Sequence, residues 1–309
     1  MSGQGRYRDG FAVIDKEPGC TSHDVVARAR RLLGIRKVGH AGTLDPDATG
    51  VLILGVGRAT RLLRYVTALG KTYEATVTFG AATDTCDAAG SVVGTWDMSD
   101  LTAARAGAAA AAFVGEIQQI PPMVSAVKVG GRRLHELARE GLTVPREPRT
   151  VRVESLKLTG FSTGDRPRAT VTLTCSSGTY VRTLAADWGA ALGGGAHLAT
   201  LRRTAVGSFT EFEARPLERL ELLAPATGVR DYDSLTVPEA GARAVAQGRR
   251  LPATGLAGEG PWAVLDESGS LLAMCERRGD ALQPVVVLAV ENRPRRPGAA
   301  GGGAEPPDR

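Results

Sequence analysis

Hydrophobic and polar positions change period several times along the chain, and each change predicts an element. Gly10 to Asp15 is a short apolar run that ends in Lys16-Glu17-Pro18-Gly19, a strand leaving through a turn. Thr21-Ser22-His23-Asp24 then offers N-cap chemistry for an amphipathic helix reaching about Leu33. Val51 to Leu54 has the continuous apolar pattern of a buried strand, Ala59 to Leu69 reads as a basic helix, and Lys71 to Phe79 alternates as a strand that contains Tyr73. Thr83 to Gly90 is an acidic turn, and a short strand follows it. The Ala-rich stretch from about Ser99 to Phe113 predicts a helix by propensity, and Arg105 interrupts it, so it is not a membrane segment.

Gln119 to Val129 is expected to be extended around its double proline, and Arg132 to Glu140 to be helical. Thr150 to Thr159 and Ala169 to Cys175 alternate with a period of two and predict strands. Ser177 to Arg182 turns into a helix running to about Leu192, which the triplet Gly193 to Gly195 ends, and Leu198 to Phe209 predicts a basic, partly apolar strand. After a looser stretch around Asp231 to Val237 comes a compact unit. It contains a helix at Pro238 to Gln247, then apolar runs at Ala263 to Asp266, Leu271 to Cys275 and Val285 to Leu288, separated by Gly and Asp turns. From Arg293 the tail is too poor in apolar residues to order itself.

Composition adds bounds to this pattern. With 309 residues, 43% hydrophobic and 23% charged, the chain can bury a sizeable core in one large or two unequal domains. The N-terminal residues are polar, and no run approaches the ~20 apolar residues that span a bilayer, so a cytoplasmic protein is expected. The four cysteines, Cys20, Cys86, Cys175 and Cys275, lie far apart without a CxxC pair, which favours free thiols over zinc sites or disulfides. The net charge of +5 is modest, but arginines and lysines cluster around Arg28 to Lys37, Arg58 to Lys71, Arg132-Arg133 and Arg202-Arg203, a distribution suited to a phosphate backbone.

Chemically capable groups concentrate in Gly39-His40-Ala41-Gly42-Thr43-Leu44-Asp45-Pro46-Asp47-Ala48-Thr49-Gly50. Its glycines and Pro46 predict a rigid loop that presents a carboxylate. Asp45 to Gly50 begins like a calcium loop, but Val56 stands where a bidentate glutamate is required. His23, His40, His135 and His197 show no zinc-ligand spacing, and the other glycine clusters lack complete phosphate-loop patterns. What remains is a carboxylate working without a metal, as nucleophile, base or electrostatic stabiliser, and an oxocarbenium-like centre at a sugar C1′ suits such a group. These physical arguments alone do not choose between Asp45 and Asp47. A metal-dependent nucleoside hydrolase and a non-catalytic RNA-binding module are the competing readings; the first would need a calcium cluster, and the second leaves the acidic loop unexplained.

The segment Gly39 to Pro46 with Ala48-Thr49-Gly50 resembles the GHxGxLDPxATG signature of the bacterial tRNA pseudouridine-55 synthases. Further blocks resemble that family in order and spacing: Lys16 to Ser22, Lys71-Thr72-Tyr73, Thr83 to Gly90, Ile120 to Lys128, Gly178 to Thr183, and Gly195 to Leu198 with Leu201-Arg202-Arg203. The likeness covers roughly residues 10 to 210, with one departure: the first motif usually reads KPxG, and here the proline of Lys16-Glu17-Pro18-Gly19 is displaced by one.

The resemblance implies an isomerase that detaches one uracil in the T-arm of tRNA and rejoins it through C5. It implies Asp45 as the catalytic carboxylate, Tyr73 as the ring that stacks on the uracil and shuttles a proton, and Arg182 as the partner of Asp45. His40 would occupy the gap left by the extruded base, with Tyr180 and Leu201 around the flipped nucleotide. Whether Asp45 attacks C1′, attacks the base or takes a proton from C2′ stays open. No cofactor, metal, membrane or protein partner is implied, and a monomer is expected. The fold expected is α+β: residues 10–235 form a catalytic domain with a mainly antiparallel mixed sheet flanked by helices, and 236–292 a small β-rich PUA-like RNA-binding domain. Residues 1–9 would be a flexible N-terminus and 293–309 a disordered tail.

Overall fold

The computed structural model describes residues 9–288 except 126, 127 and 143. The rest of the expected flexible N-terminus and the whole expected tail from residue 293 lie outside the described residues. Two compact units form, Met1–Asp231 and Tyr232–Arg309. Among the described residues no helix is long and apolar enough to cross a membrane.

The first unit opens with β1 (Gly10–Lys16), α1 (Ser22–Leu33), β2 (Val38–Ala41), β3 (Thr49–Val56), α2 (Leu63–Ala68) and β4 (Lys71–Phe79). The hairpin β5 (Ala81–Thr83) and β6 (Val92–Thr95) leads to α3 (Ala103–Ala111) and β7 (Gly115–Gln119). A small hairpin, β8 (Lys128–Val129) and β9 (Arg132–Arg133), precedes α4 (Leu134–Arg139). Then come β10 (Arg149–Ser162), β11 (Arg168–Cys175), α5 (Val181–Ala191), β12 (Ala196–Val206) and β13 (Phe209–Thr210).

The central sheet has the order β1-β3-β12-β4-β11-β10-β7, with β2 added to β3 and β13 to β12. Its pairings are antiparallel except where β3 meets β12, parallel at Thr49 with Arg202 and Gly50 with Arg203. This is the mainly antiparallel mixed sheet flanked by helices that the sequence predicts. The parallel junction depends on Gly50, whose φ is +98° and whose missing Cβ would stand 2.2 Å from the carbonyl oxygen of Arg203. Only a glycine permits both that angle and that approach.

Three helices cover one face of this sheet. Val25, Val26 and Ala29 of α1, Ala106 and Ala110 of α3, and Leu184, Ala185 and Trp188 of α5 pack with Leu52, Leu54, Val77, Phe79, Val171 and Leu173. Helix α3 is mostly alanine and turns only Ala106 and Ala110, four apart, fully inward. Trp188 ties it to the sheet: its ring stands edge-on to Phe79 at 5.1 Å, and its indole N–H donates to the carbonyl of Ala106 at 3.1 Å.

Two predicted elements form differently. The expected helix from Ala59 to Leu69 is a 3-10 turn at Gly57–Leu62 followed by α2. The buried positions of the turn, Ala59 and Leu62, are three apart, as a three-residue turn aligns them, and those that follow in α2, Tyr65 and Val66, lie three and four beyond Leu62, as a helix of 3.6 residues per turn does. The expected strand from Leu198 to Phe209 begins earlier, at Ala196, and breaks at Gly207, whose φ of +53° starts the turn into β13.

The second unit consists of β14 (Ser234–Thr236), α6 (Glu239–Ala246), β15 (Leu251–Pro252), β16 (Trp262–Leu265), β17 (Leu271–Arg278) and β18 (Ala281–Val287). Its five strands follow the order β14-β16-β17-β18-β15 around a core that includes Val245, Trp262, Cys275 and Leu282.

Candidate active site

The acidic loop occupies residues 42–48, between β2 and β3, and each part of it is tied to another element. Arg203 of β12, 1% exposed, donates from Nε to the carbonyl of Val51 at 2.7 Å and from Nη2 to that of Gly42 at 3.1 Å, holding both ends. Lys16 at the end of β1, also 1% exposed, donates to the carbonyls of Pro46 and Ala48 at 2.8 and 2.7 Å. The Ser22 hydroxyl donates to the carbonyl of Leu44 at 3.1 Å and accepts from its N–H at 2.9 Å. The N–H of Gly19 donates to Pro46 as well, at 3.0 Å. The displaced proline at Pro18 therefore leaves the junction between this turn and the loop intact. Buried cations facing backbone carbonyls have their charge partly met by those dipoles, and the loop has little freedom to move.

Asp45 projects from this frame with 41% of its side chain still open. Arg182, on the first turn of α5 and 6% exposed, meets it in a fork: Nε lies 3.0 Å from Oδ2 and Nη2 3.4 Å from Oδ1. The same guanidinium reaches Asp87 Oδ2 at 3.3 Å, the carbonyl of Val124 at 2.8 Å and that of Thr85 at 3.4 Å. Burial raises the pKa of Asp45 above the ordinary carboxylate value, Arg182 opposes that rise, and the like charges of Asp87 and Asp47 add to it.

Asp87 is the residue that the sequence reading left unnamed. Its Oδ1 accepts from the Thr85 hydroxyl at 2.6 Å and from the N–H of Ala89 at 3.1 Å, which leaves Oδ2 for Arg182. The turn that presents it passes through Cys86 at φ +61°, a left-handed conformation that a cysteine adopts only under constraint. That constraint is visible in the carbonyl of Cys86, which accepts from the N–H of Leu198 at 3.0 Å, while Ala88 donates to the Leu198 carbonyl at 2.9 Å. The signal in the sequence was the acidic block Thr83 to Gly90 itself, which resembles the family motif without showing which aspartate faces the guanidinium.

A cavity of about 610 Å³ opens above Asp45 and brings together all six residues singled out from sequence: His40, Asp45, Tyr73, Tyr180, Arg182 and Leu201. A second space of about 460 Å³ adjoins it and shares Asp45, Val124, Arg182 and Leu201. Tyr73 sits in β4 between Leu173 of β11 and Arg203 of β12, 8% exposed, and burial raises its pKa so that the phenol keeps its proton. Tyr180 caps α5, its backbone N–H donating to Gln119 Oε1 at 2.9 Å, and Leu201 faces both spaces. Lys71 lines the cavity too; burial and Arg203 lower its pKa to about 8, and its ammonium donates to the carbonyls of Thr67 and Leu69, both at 2.6 Å.

Two expectations need correction. His40 does not share the loop with Asp45; it lies on β2, paired with Leu54 of β3. The extended backbone there continues the sheet, and the turn begins only at Gly42, where φ is +83°. The basic pair Arg202-Arg203 does not offer two free cations to a phosphate backbone: Arg203 is buried in the frame, and Arg202 bridges Asp15 at 3.0 Å and Glu211 at 2.8 Å. Strand alternation sends neighbouring residues to opposite faces, and in the middle of this sheet that puts Arg203 in the interior and Arg202 on the outer side.

Comparison with known proteins places these features in context. Residues 30–181 match the TruB family pseudouridylate synthase N-terminal domain, 182–231 a tRNA pseudouridylate synthase B C-terminal domain, and 232–289 a tRNA pseudouridine synthase II C-terminal domain. The chain is 51% identical over 245 residues to the tRNA pseudouridine synthase B of Symbiobacterium thermophilum, covering 78% of this chain and 82% of that one. It is 46% identical over 296 residues to that of Thermobifida fusca, covering 91% and 99%. Among solved structures, a Cbf5-Nop10-Gar1 complex aligns with a TM-score of 0.69 at 25% identity, covering 91% of this chain and 85% of that one. An H/ACA ribonucleoprotein bound to a substrate RNA aligns at 0.68 and 22%, covering 92% and 86%, a likeness of fold.

Proposed function

Since the chain belongs to the TruB family of pseudouridylate synthases, we propose that it isomerises the uridine at position 55 in the T-arm of tRNA to pseudouridine. It is an isomerase acting on tRNA. It works in the cytoplasm as a monomer, without cofactor or metal. The second unit is a PUA-like RNA-binding domain that extends the grip on the substrate.

The observation that carries the reading of the chemistry is the fork between Asp45 and Arg182 at the floor of a cavity with room for a nucleotide. The reaction breaks the bond from C1′ to N1, turns the uracil and joins C1′ to C5; the C5 proton leaves and N1 gains one. Asp45 is the catalytic carboxylate. Arg182 holds its charged form against the desolvation that would protonate it, and fixes its direction through an ion pair and a hydrogen bond. Tyr73 stacks on the uracil, and its phenol, neutral at working pH, relays the C5 proton by giving up its own as it takes one. The target base is extruded from the RNA stack to reach C1′. His40 fills the gap, while Tyr180 and Leu201 enclose the flipped nucleotide.

The test is a T-arm RNA tritiated at C5 of the target uridine. Wild type releases the label; Asp45→Ala releases none and still binds the RNA. An Asp45→Ala protein that continues to release label refutes the role of Asp45.

A further inference from the structure

The structure holds one ring against the base-displacing histidine that none of the roles above uses. His23 and His40 stand edge to face, with ring centroids 5.3 Å apart and planes at 80°. We propose that His23 is a positioning residue for His40: the two imidazoles form a paired wedge, and His23 sets the angle at which His40 enters the stacked bases. The proposal rests on the reading of His40 as the residue that fills the gap.

Three observations carry it. The first is that the two rings come from different elements whose relation is fixed. His23 is exposed, but it lies on the first turn of α1, where Thr21 and Asp24 cap each other's backbone N–H. Its neighbour Ser22 is bonded in both directions to Leu44, immediately before Asp45. The ring of His23 is therefore carried by a turn fastened to the reacting loop. The second is that a histidine usually fixes its ring through hydrogen bonds at its nitrogens, whereas Nδ1 of His40 is buried without a hydrogen-bond partner. The ring keeps a polar contact with the backbone of Gly42, but with Nδ1 unpaired packing also sets its turn, and among the described residues His23 is an aromatic side chain packed on it. The third is charge. Burial first, then the nearby charges of His23 and Arg203, lower the pKa of His40 to about 4, so at neutral pH it offers an uncharged ring, the form suited to stacking between bases.

The experiment compares His23→Ala, His23→Phe, His40→Ala and the His23→Ala/His40→Ala double variant on a T-arm RNA carrying 2-aminopurine beside the target uridine. The readouts are kcat, KM and the rise in fluorescence as the stack opens. An edge-to-face contact of this kind shifts an equilibrium about two- to tenfold. His23→Ala should raise KM by that factor and lower the fluorescence rise, with kcat little changed. His23→Phe keeps an edge-to-face ring and should recover both, which a general loss of folding would not allow; the thermal midpoints of the His23 variants should match wild type. In the His40→Ala background, His23→Ala should add nothing. Additive losses, or no recovery with phenylalanine, overturn the proposal. If His40→Ala alone raises KM and His23→Ala does not, the pairing fails while the role of His40 stands. If His40→Ala changes neither KM nor fluorescence, the role of His40 fails and the pairing with it.

Discussion

Replacing Arg182 with lysine keeps the charge and removes the fork, which makes it the sharpest probe of the site. The guanidinium makes an ion pair through Nε and a hydrogen bond through Nη2 with Asp45, and one contact each with Asp87 and the carbonyls of Val124 and Thr85, from a position 6% exposed. An ammonium has three donors at a single point, so at least two of these five contacts go unmade. A hydrogen bond to a charged group contributes about 1.5–3 kcal/mol. Since Asp45 keeps 41% of its side chain open to water, the low end applies. Two lost bonds then cost about 3 kcal/mol, which is a hundredfold or more in rate. The loss should fall on the chemical step, because Asp45 loses orientation while the RNA-binding surface is unchanged. Single-turnover release of C5 tritium with enzyme in excess measures it, alongside RNA affinity and thermal midpoint. Turnover within a few fold of wild type, with unchanged stability, would refute the argument that a bidentate geometry at Asp45 matters.

Other perturbations follow from the frame. Gly50→Ala forces a Cβ into the Arg203 carbonyl at a backbone angle that only glycine accepts, so it should cost ~3 kcal/mol or more; a thermal midpoint equal to wild type contradicts this account of the junction. Ser22→Ala leaves both polar groups of Leu44 unpaired in a buried position, and should lower stability by ~1–3 kcal/mol in denaturant titrations and slow turnover, whereas equal stability shows that water replaces the hydroxyl. His40 titrates near 6.5 when unfolded and near 4 when folded. The unfolded chain therefore takes up its proton first as pH falls, and stability is lost between those values. Discounted for its partial exposure, the loss relative to His40→Gln is ~1–2 kcal/mol. Parallel stability curves for the two proteins from pH 7 to 4 would contradict it.

Local pattern carried much of the architecture because strand alternation and helix caps are short-range signals. The alternation of Lys71 to Phe79 and of Ala169 to Cys175 places β4 and β11, and Thr21 with Asp24 marks the start of α1. The reacting loop stood out by density of chemistry, although choosing Asp45 over Asp47 required the family motif. What stayed illegible depends on pairings distant along the chain. Arg203 reads as a surface cation until β12 is placed between β3 and β4, where it becomes the bolt of the loop. Asp87 reads as one acid of a turn until the strain at Cys86 and the contacts of Leu198 aim it at Arg182. His40 looked like a loop residue because glycine neighbours suggest turns, whereas Gly39 pairs with Gly55 in regular strand.

The bolt at Arg203 has a consequence for how the reaction is paced. A segment fastened at both ends to the middle of a sheet does not breathe by itself: the amides of residues 44 and 48, bonded to the Ser22 hydroxyl and the Asp45 carbonyl, should exchange with deuterium slowly, when the frame that Ser22, Lys16 and Arg203 make around the loop opens. Compliance in the encounter must then come from the nucleic acid. The stiff partner sets the shape, and the soft partner is bent to fit it. Turnover should accordingly follow how readily the RNA loop distorts, rising with substrates whose loops are weakened, and its temperature dependence should reflect RNA melting until the sheet itself gives way.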